Sequence, residues 1–122
     1  MFKHKKFVKF YVYVSCTDCS GLKTTICIKP VSRDIHVSRS IKSEGSWEQD
    51  IVNNVIRAME AHPSAVFLDV GANIGMYTVV IAAMKRKVIA VDADPENLAY
   101  IRQSLEIENT TEYVDLIYNS IR

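Results

Sequence analysis

Ala65-Val66-Phe67-Leu68-Asp69-Val70-Gly71-Ala72-Asn73-Ile74-Gly75-Met76, continued by Val88-Ile89-Ala90-Val91-Asp92-Ala93-Asp94-Pro95, is the stretch that decides the fold. Ala65 to Leu68 is a short apolar run, the pattern of a strand buried on both faces of a parallel sheet. It runs into a loop with two glycines, and Met76 to Met84 then reads as a buried helix. Lys85-Arg86-Lys87 closes that helix, where cations suit the negative end of its dipole. Val88 to Val91 predicts a second buried strand ending at Asp92. Asp94 is a helix N-cap with Pro95 at the first helical position, and Leu98, Ile101 and Leu105 form the apolar stripe of the next helix. Tyr113 to Tyr118 predicts a third strand. Strand, helix, strand, helix, strand makes βαβ units, one mononucleotide-binding half of a doubly wound α/β fold.

Upstream, residues 7 to 14 and 22 to 28 predict two strands of a hairpin around Asp18-Cys19-Ser20-Gly21. Residues 30 to 45 are mixed and polar, punctuated by Pro30 and Gly45, with Ile35-His36-Val37 as a short strand. Ser46 and Gln49 make an S-x-x-Q capping box. Ile51, Val52, Val55, Ile56 and Met59 then repeat at helical spacing until His62-Pro63. The expected division is a β-rich extension over 1–45 and a partial α/β domain over 46–122.

The chain has 122 residues, 48% of them hydrophobic and 24% charged, with a net charge of +1. That is one small globular domain, with no electrostatic case for nucleic acid or an anionic membrane as partner. Cys16, Cys19 and Cys27 are odd in number, which argues against a disulfide framework and predicts free thiols. The Cys16/Cys19 pair lacks the second half of a zinc site, so no metal is expected. The apolar run over 7–14 is broken by Lys9 and falls far short of the ~20 residues that span a bilayer. The default compartment is cytoplasmic, with a lost signal anchor as the other reading; the oligomeric state is open.

The chemistry lies in the glycine loop and the acid beyond it. Gly71 permits a left-handed backbone and close approach of a ligand. Gly75 lets the helix start pack against the loop, and the amides there favour the negative end of a ligand. Asp92 follows Gly71 by roughly 20 residues, at the carboxyl edge of the next strand, where a carboxylate accepts from ribose hydroxyls. The dinucleotide fingerprint G-x-G-x-x-G is not met. Asn73 stands for its second glycine and Met76 for its third, which leaves little room for a pyrophosphate. Asn73 still tolerates the turn.

Leu68-Asp69-Val70-Gly71-Ala72-Asn73-Ile74-Gly75-Met76-Tyr77-Thr78 resembles the first motif of FkbM-type methyltransferases, a D-x-G-A-N-x-G loop. Val91-Asp92-Ala93-Asp94-Pro95-Glu96-Asn97 resembles the second, usually Glu-Pro where this chain has Asp92-Ala93. The likeness spans about residues 46 to 122. It implies a Rossmann-like class I methyltransferase fold, truncated after its third parallel strand and preceded by a β-hairpin segment and a helix. It implies S-adenosylmethionine as cofactor and a hydroxyl of a small molecule or glycan as acceptor. By that resemblance Asp69 serves the cofactor's methionine ammonium, directly or through water, Gly71, Ala72, Asn73 and Gly75 line the loop against it, and Asp92 holds the ribose. Tyr77 and Thr78 are weaker candidates that read first as packing or capping residues; Glu48, after Trp47, is within reach of the site but reads first as a solvated helix charge. No residue is assigned as catalytic.

In the implied fold a fourth strand lies against the first. Its absence leaves Ala65 to Leu68 as an apolar edge, so a fragment of a longer enzyme is expected; cover by the amino-terminal strands is the alternative. A non-catalytic cofactor-binding or interaction module and a nicotinamide-dependent oxidoreductase are the competing functions.

Overall fold

In the computed structural model, which describes residues 15–19, 24–30, 32–34, 36–45 and 48–119, nine elements follow one another. They are β1 (Ser15–Cys19), β2 (Thr24–Ile28), α1 (Val37–Glu44), α2 (Gln49–Ala61), β3 (Phe67–Val70), α3 (Met76–Ala83), β4 (Val88–Asp92), α4 (Pro95–Ile107) and β5 (Val114–Tyr118). A 3-10 turn over Thr111–Tyr113 leads into β5. Strands β3, β4 and β5 lie side by side in that order. All are parallel, with Phe67 beside Val88 and Val88 beside Val114. The result is a mixed α/β architecture with Rossmann-like strand succession.

Register decides burial, because successive side chains on a strand point to opposite faces. Asp69, Ala90 and Leu116 form one row across the sheet, and Val88 and Val114 lie on the same face. All five are buried, beneath α3 and α4. The alternate rows, Leu68-Ile89-Asp115 and Val70-Val91-Ile117, lie on the other face. There Leu68 is 60% and Val70 53% exposed. The expectation of a sheet buried on both faces is corrected: among the described residues helices cover one face only. Among the described residues β3 is an edge strand, and the β1–β2 hairpin does not pair with it.

The hairpin instead forms a third layer. β2 packs on α4 and α3, so α3 is sandwiched between sheet and hairpin, with Met76, Thr78, Val79, Val80, Ile81 and Ala82 all buried. That position explains a helix apolar nearly all round. Ile26 and Ile28 share one core with Val79, Ile81, Leu98 and Ile101, each burial contributing about 2 kcal/mol. A single hydroxyl fastens the layers: Ser104 Oγ accepts from Cys27 N at 2.8 Å and donates to Tyr100 O at 3.0 Å.

Several amino-terminal expectations are corrected. The strand predicted over 7–14 lies outside the described residues, while Asp18 and Cys19, read as a turn, belong to β1 with Cys19 opposite Thr24. Cys27 is disulfide-bonded rather than a free thiol, and Cys16 stands directly opposite it in the antiparallel register. Where Ile35-His36-Val37 predicted a strand, His36 and Val37 begin α1, so the segment before residue 45 is not β-rich throughout. The Asp34 carboxylate caps that helix, accepting from Val37 N, Ser38 N and Ser38 Oγ at 3.1, 3.0 and 2.8 Å. Gly45, left-handed at φ 77°, ends it.

Of the expected capping box, Ser46 lies outside the described residues. α2 starts at Gln49 with Glu48 as N-cap, whose own side chain makes no cap hydrogen bond, and Gln49 Nε2 donates to Asn53 Oδ1 at 2.8 Å. Arg86, expected to serve its own helix end, closes α2 instead. Its Nη1 donates to Met59 O at 2.6 Å, and its Nη2 to His62 O and Ala65 O at 2.7 and 3.0 Å. No described helix is long and apolar enough to cross a membrane.

Candidate functional site

The loop between β3 and α3 meets the carboxyl end of β4, and hydrogen bonds tie the two together. Gly71 N and Ala72 N both donate to Val91 O, at 2.8 and 3.0 Å. Asn73 N donates to Asp92 Oδ2 at 2.8 Å, Ile74 N to Asn73 Oδ1 at 2.8 Å and Gly75 N to Ala72 O at 2.9 Å. Every amide from Gly71 to Gly75 is therefore already spent within the chain. Three of these residues are left-handed: Gly71 (φ 73°), Asn73 (φ 55°) and Gly75 (φ 94°). Asn is the side-chain-bearing residue that best tolerates this, which answers how the turn survives without a second glycine.

The two glycines do different work. A Cβ on Gly71 would meet nothing within 4 Å, so the space above it is open. A Cβ on Gly75 would sit 2.7 Å from Ile101 Cγ1, so Gly75 exists for helix packing and turns away from the open space. Two cavities meet over Gly71. One, of about 240 Å³, is lined by Val70, Gly71, Val91, Asp92, Ala93 and Asn119. The other, of about 130 Å³, is lined by Glu48, Gly71, Ala72, Asn73, Met76 and Tyr77 among others.

Asp92 is nearly buried, 8% exposed. Besides Asn73 N, it accepts from Asp94 N at 2.9 Å and Asn97 Nδ2 at 3.2 Å through Oδ1. A carboxylate has about four acceptor positions, so three are used and one, on Oδ2, remains for a ligand. Asp92 thus locks the loop to the strand and faces the larger cavity at once. Asn97 Oδ1 beside it is buried without a partner.

Of the sequence-predicted residues, Asp69 and Gly75 line neither cavity. Asp69 is 6% exposed, on the helix-covered face. Thr78 Oγ1 donates to its Oδ2 at 2.6 Å. Burial pushes its carboxyl above the usual range, aided by the charge of Asp92, while the Thr78 bonds oppose the rise. Thr78 is fully buried, as a packing residue should be.

Glu48 and Tyr77, which read first as a solvated charge and a packing residue, come into the site. Tyr77 Oη donates to Glu48 Oε1 at 2.7 Å, and both line the smaller cavity. Burial first, then the Glu48 bond and the charges of Glu48 and Asp69, push the Tyr77 hydroxyl up to about 12. No lysine or arginine lines either cavity among the described residues. Nor does any group of three or more His, Cys, Asp or Glu among them converge to hold a metal ion. The surroundings are rich in carboxylates and poor in free donors, an environment for a ligand that donates hydrogen bonds and carries positive charge.

No family model matches the chain, and no curated protein matches it. Among solved structures, the crystal structure of EvdMO1 is similar over 72% of this chain, at 24% sequence identity and a TM-score of 0.48. The match takes in 24% of the EvdMO1 chain. A likeness at that level carries no functional argument.

Proposed function

We propose that this chain holds the cofactor-binding half of an S-adenosylmethionine-dependent methyltransferase acting on a hydroxyl of a small molecule or glycan. The observation that carries the reading is the saturation of the loop amides beside uncompensated carboxylates. A dinucleotide would bring a pyrophosphate to this loop, where it needs amide donors. Here Gly71 to Gly75 have none to offer, and Asp92 and Glu48 would repel it. S-adenosylmethionine brings no pyrophosphate: its ribose hydroxyls donate, and its sulfonium and ammonium outweigh its single carboxylate.

Under this reading Asp92 accepts a ribose hydroxyl at its remaining acceptor position. Gly71 lets the ligand approach the backbone, since any side chain there would fill the open space. The cofactor supplies a methyl group on a sulfonium, whose displacement by an oxygen nucleophile is helped mainly by alignment. The resemblance of the Asp69–Gly75 stretch to the FkbM motif supports the hydroxyl acceptor. No described residue is assigned as the general base.

Calorimetric titration with S-adenosylhomocysteine and, separately, NAD tests the reading. Gly71→Ala is the cleaner variant than Asp92→Ala, because removing Asp92 also strands Asn73 N and Asp94 N. Saturable binding of S-adenosylhomocysteine alone, abolished by Gly71→Ala in a folded protein, is expected. Binding of NAD instead would sink the proposal.

A further inference from the structure

Glu48 occupies an unusual position. It is the N-cap of α2 yet left-handed, at φ 53° and ψ 50°, a region that disfavours residues with a Cβ. That backbone is where its carboxylate meets Tyr77, whose hydroxyl donates to Oε1 at 2.7 Å. Tyr77 is fixed in turn on the first turn of α3 and packs against Phe67, ring centroids 6.5 Å apart. Oε2 of Glu48 has no partner among the described residues. The pair borders the smaller cavity together with Gly71, Ala72 and Asn73, and no cation among its lining residues neutralises the charge.

The resemblance gave the methionine ammonium to Asp69, but Asp69 lies beneath the sheet's helical cover with Thr78 and borders neither cavity. Gly71, which lines both cavities, joins the Asp92 end to the Glu48 end with open space above it. A ligand whose ribose sits at Asp92 and which extends over Gly71 arrives at Glu48.

We propose that Glu48, oriented by Tyr77, forms the subsite for the cationic ammonium of the cofactor's amino-acid arm. The inference rests on the S-adenosylmethionine reading and assigns the arm's recognition to a residue outside the glycine loop. Glu48 is the binding residue and Tyr77 a positioning residue.

The test compares S-adenosylhomocysteine, which carries the arm, with 5′-methylthioadenosine, which lacks it. Both are titrated calorimetrically into the wild-type chain, Glu48→Gln and Tyr77→Phe. Wild type is expected to bind both. Glu48→Gln should weaken S-adenosylhomocysteine about tenfold, the usual scale for losing a partly exposed charge pair to a ligand. Its affinity for methylthioadenosine should stay within about twofold, which also shows that the variant is folded. Tyr77→Phe should follow the same pattern with a smaller loss, about threefold. If Glu48→Gln leaves S-adenosylhomocysteine unchanged, or weakens both compounds equally, the subsite is overturned while the cofactor reading stands. If wild type binds neither compound, the cofactor reading falls and takes the subsite with it.

Discussion

Substituting the two loop glycines separates packing from ligand space. Gly75→Ala forces a Cβ into a residue at φ 94° and to within 2.7 Å of Ile101 Cγ1 and 3.3 Å of Cγ2. The left-handed backbone costs about 1–2 kcal/mol. Ile101 is fully buried and cannot swing into solvent, so overpacking adds about 1–3 kcal/mol. The expected loss is about 3 kcal/mol, or ~12 °C in Tm at about 4 °C per kcal/mol for a domain of this size. Gly71→Ala meets no neighbour within 4 Å and carries only the φ 73° strain, about 1 kcal/mol or ~4 °C. Urea and thermal unfolding of both variants, with Ile101→Ala in each background, reads the difference. In the Gly75→Ala background Ile101→Ala should be milder than in wild type by about 1–3 kcal/mol, since it removes the obstructing Cγ atoms. Equal losses for the two glycine variants, or strict additivity in the Gly75/Ile101 cycle, would refute the division of labour.

Three further perturbations have expected outcomes. Arg86→Ala strips three carbonyls of their shared donor and should destabilise by about 2 kcal/mol in urea unfolding; Arg86→Lys should recover less than half, since an ammonium cannot span them as a guanidinium fork does. Asp34→Ala should cost about 1 kcal/mol at neutral pH through loss of the α1 cap. Burial raises the Asp34 carboxyl, but its Ser38 and Val37 bonds outweigh that and hold it below its ordinary 3.8. Its contribution is therefore present above 3.8 and fades as pH falls through the folded value, so wild-type and Asp34→Ala unfolding curves should converge in strong acid and stay apart above 3.8. Cys27 is disulfide-bonded, so iodoacetamide applied to the unfolded, unreduced chain should add one adduct, and three after reduction; three without reduction would remove the bond. Such a bond persists in oxidising surroundings and is reduced in a cytosol.

The β3–α3–β4–α4–β5 order was legible because each signal is local: Asp94 accepts from Glu96 N as an N-cap should, and α4 begins at Pro95. What failed depended on what lies across an element. The run Ala65 to Leu68 is apolar at every position, so it carries no alternation that would say one face is open. α1 was readable in principle, since Asp34 and Gly45 bracket Val37 and Ile41 at helical spacing, but those two are the only apolar residues in its eight. Asp18 and Cys19 belong to β1, but their place beside Ser20-Gly21 reads locally as a turn.

The same dependence separates the site residues that sequence could rank from those it could not. Gly71, Asn73 and Asp92 sit within one βαβ unit, where the strand–loop–helix order itself brings them together. Asp69 has the right spacing, but whether its side chain points at a ligand or into the core is a question of strand parity. Its row partners Ala90 and Leu116 lie under the helices, and that settles Asp69 inward. Glu48 stands 29 residues from Tyr77, outside the glycine loop, at the left-handed residue where α2 begins. No periodicity announces such a contact. With the Asp69 carboxylate turned inward to Thr78, the carboxylate that lines the smaller cavity is Glu48, from outside the glycine loop.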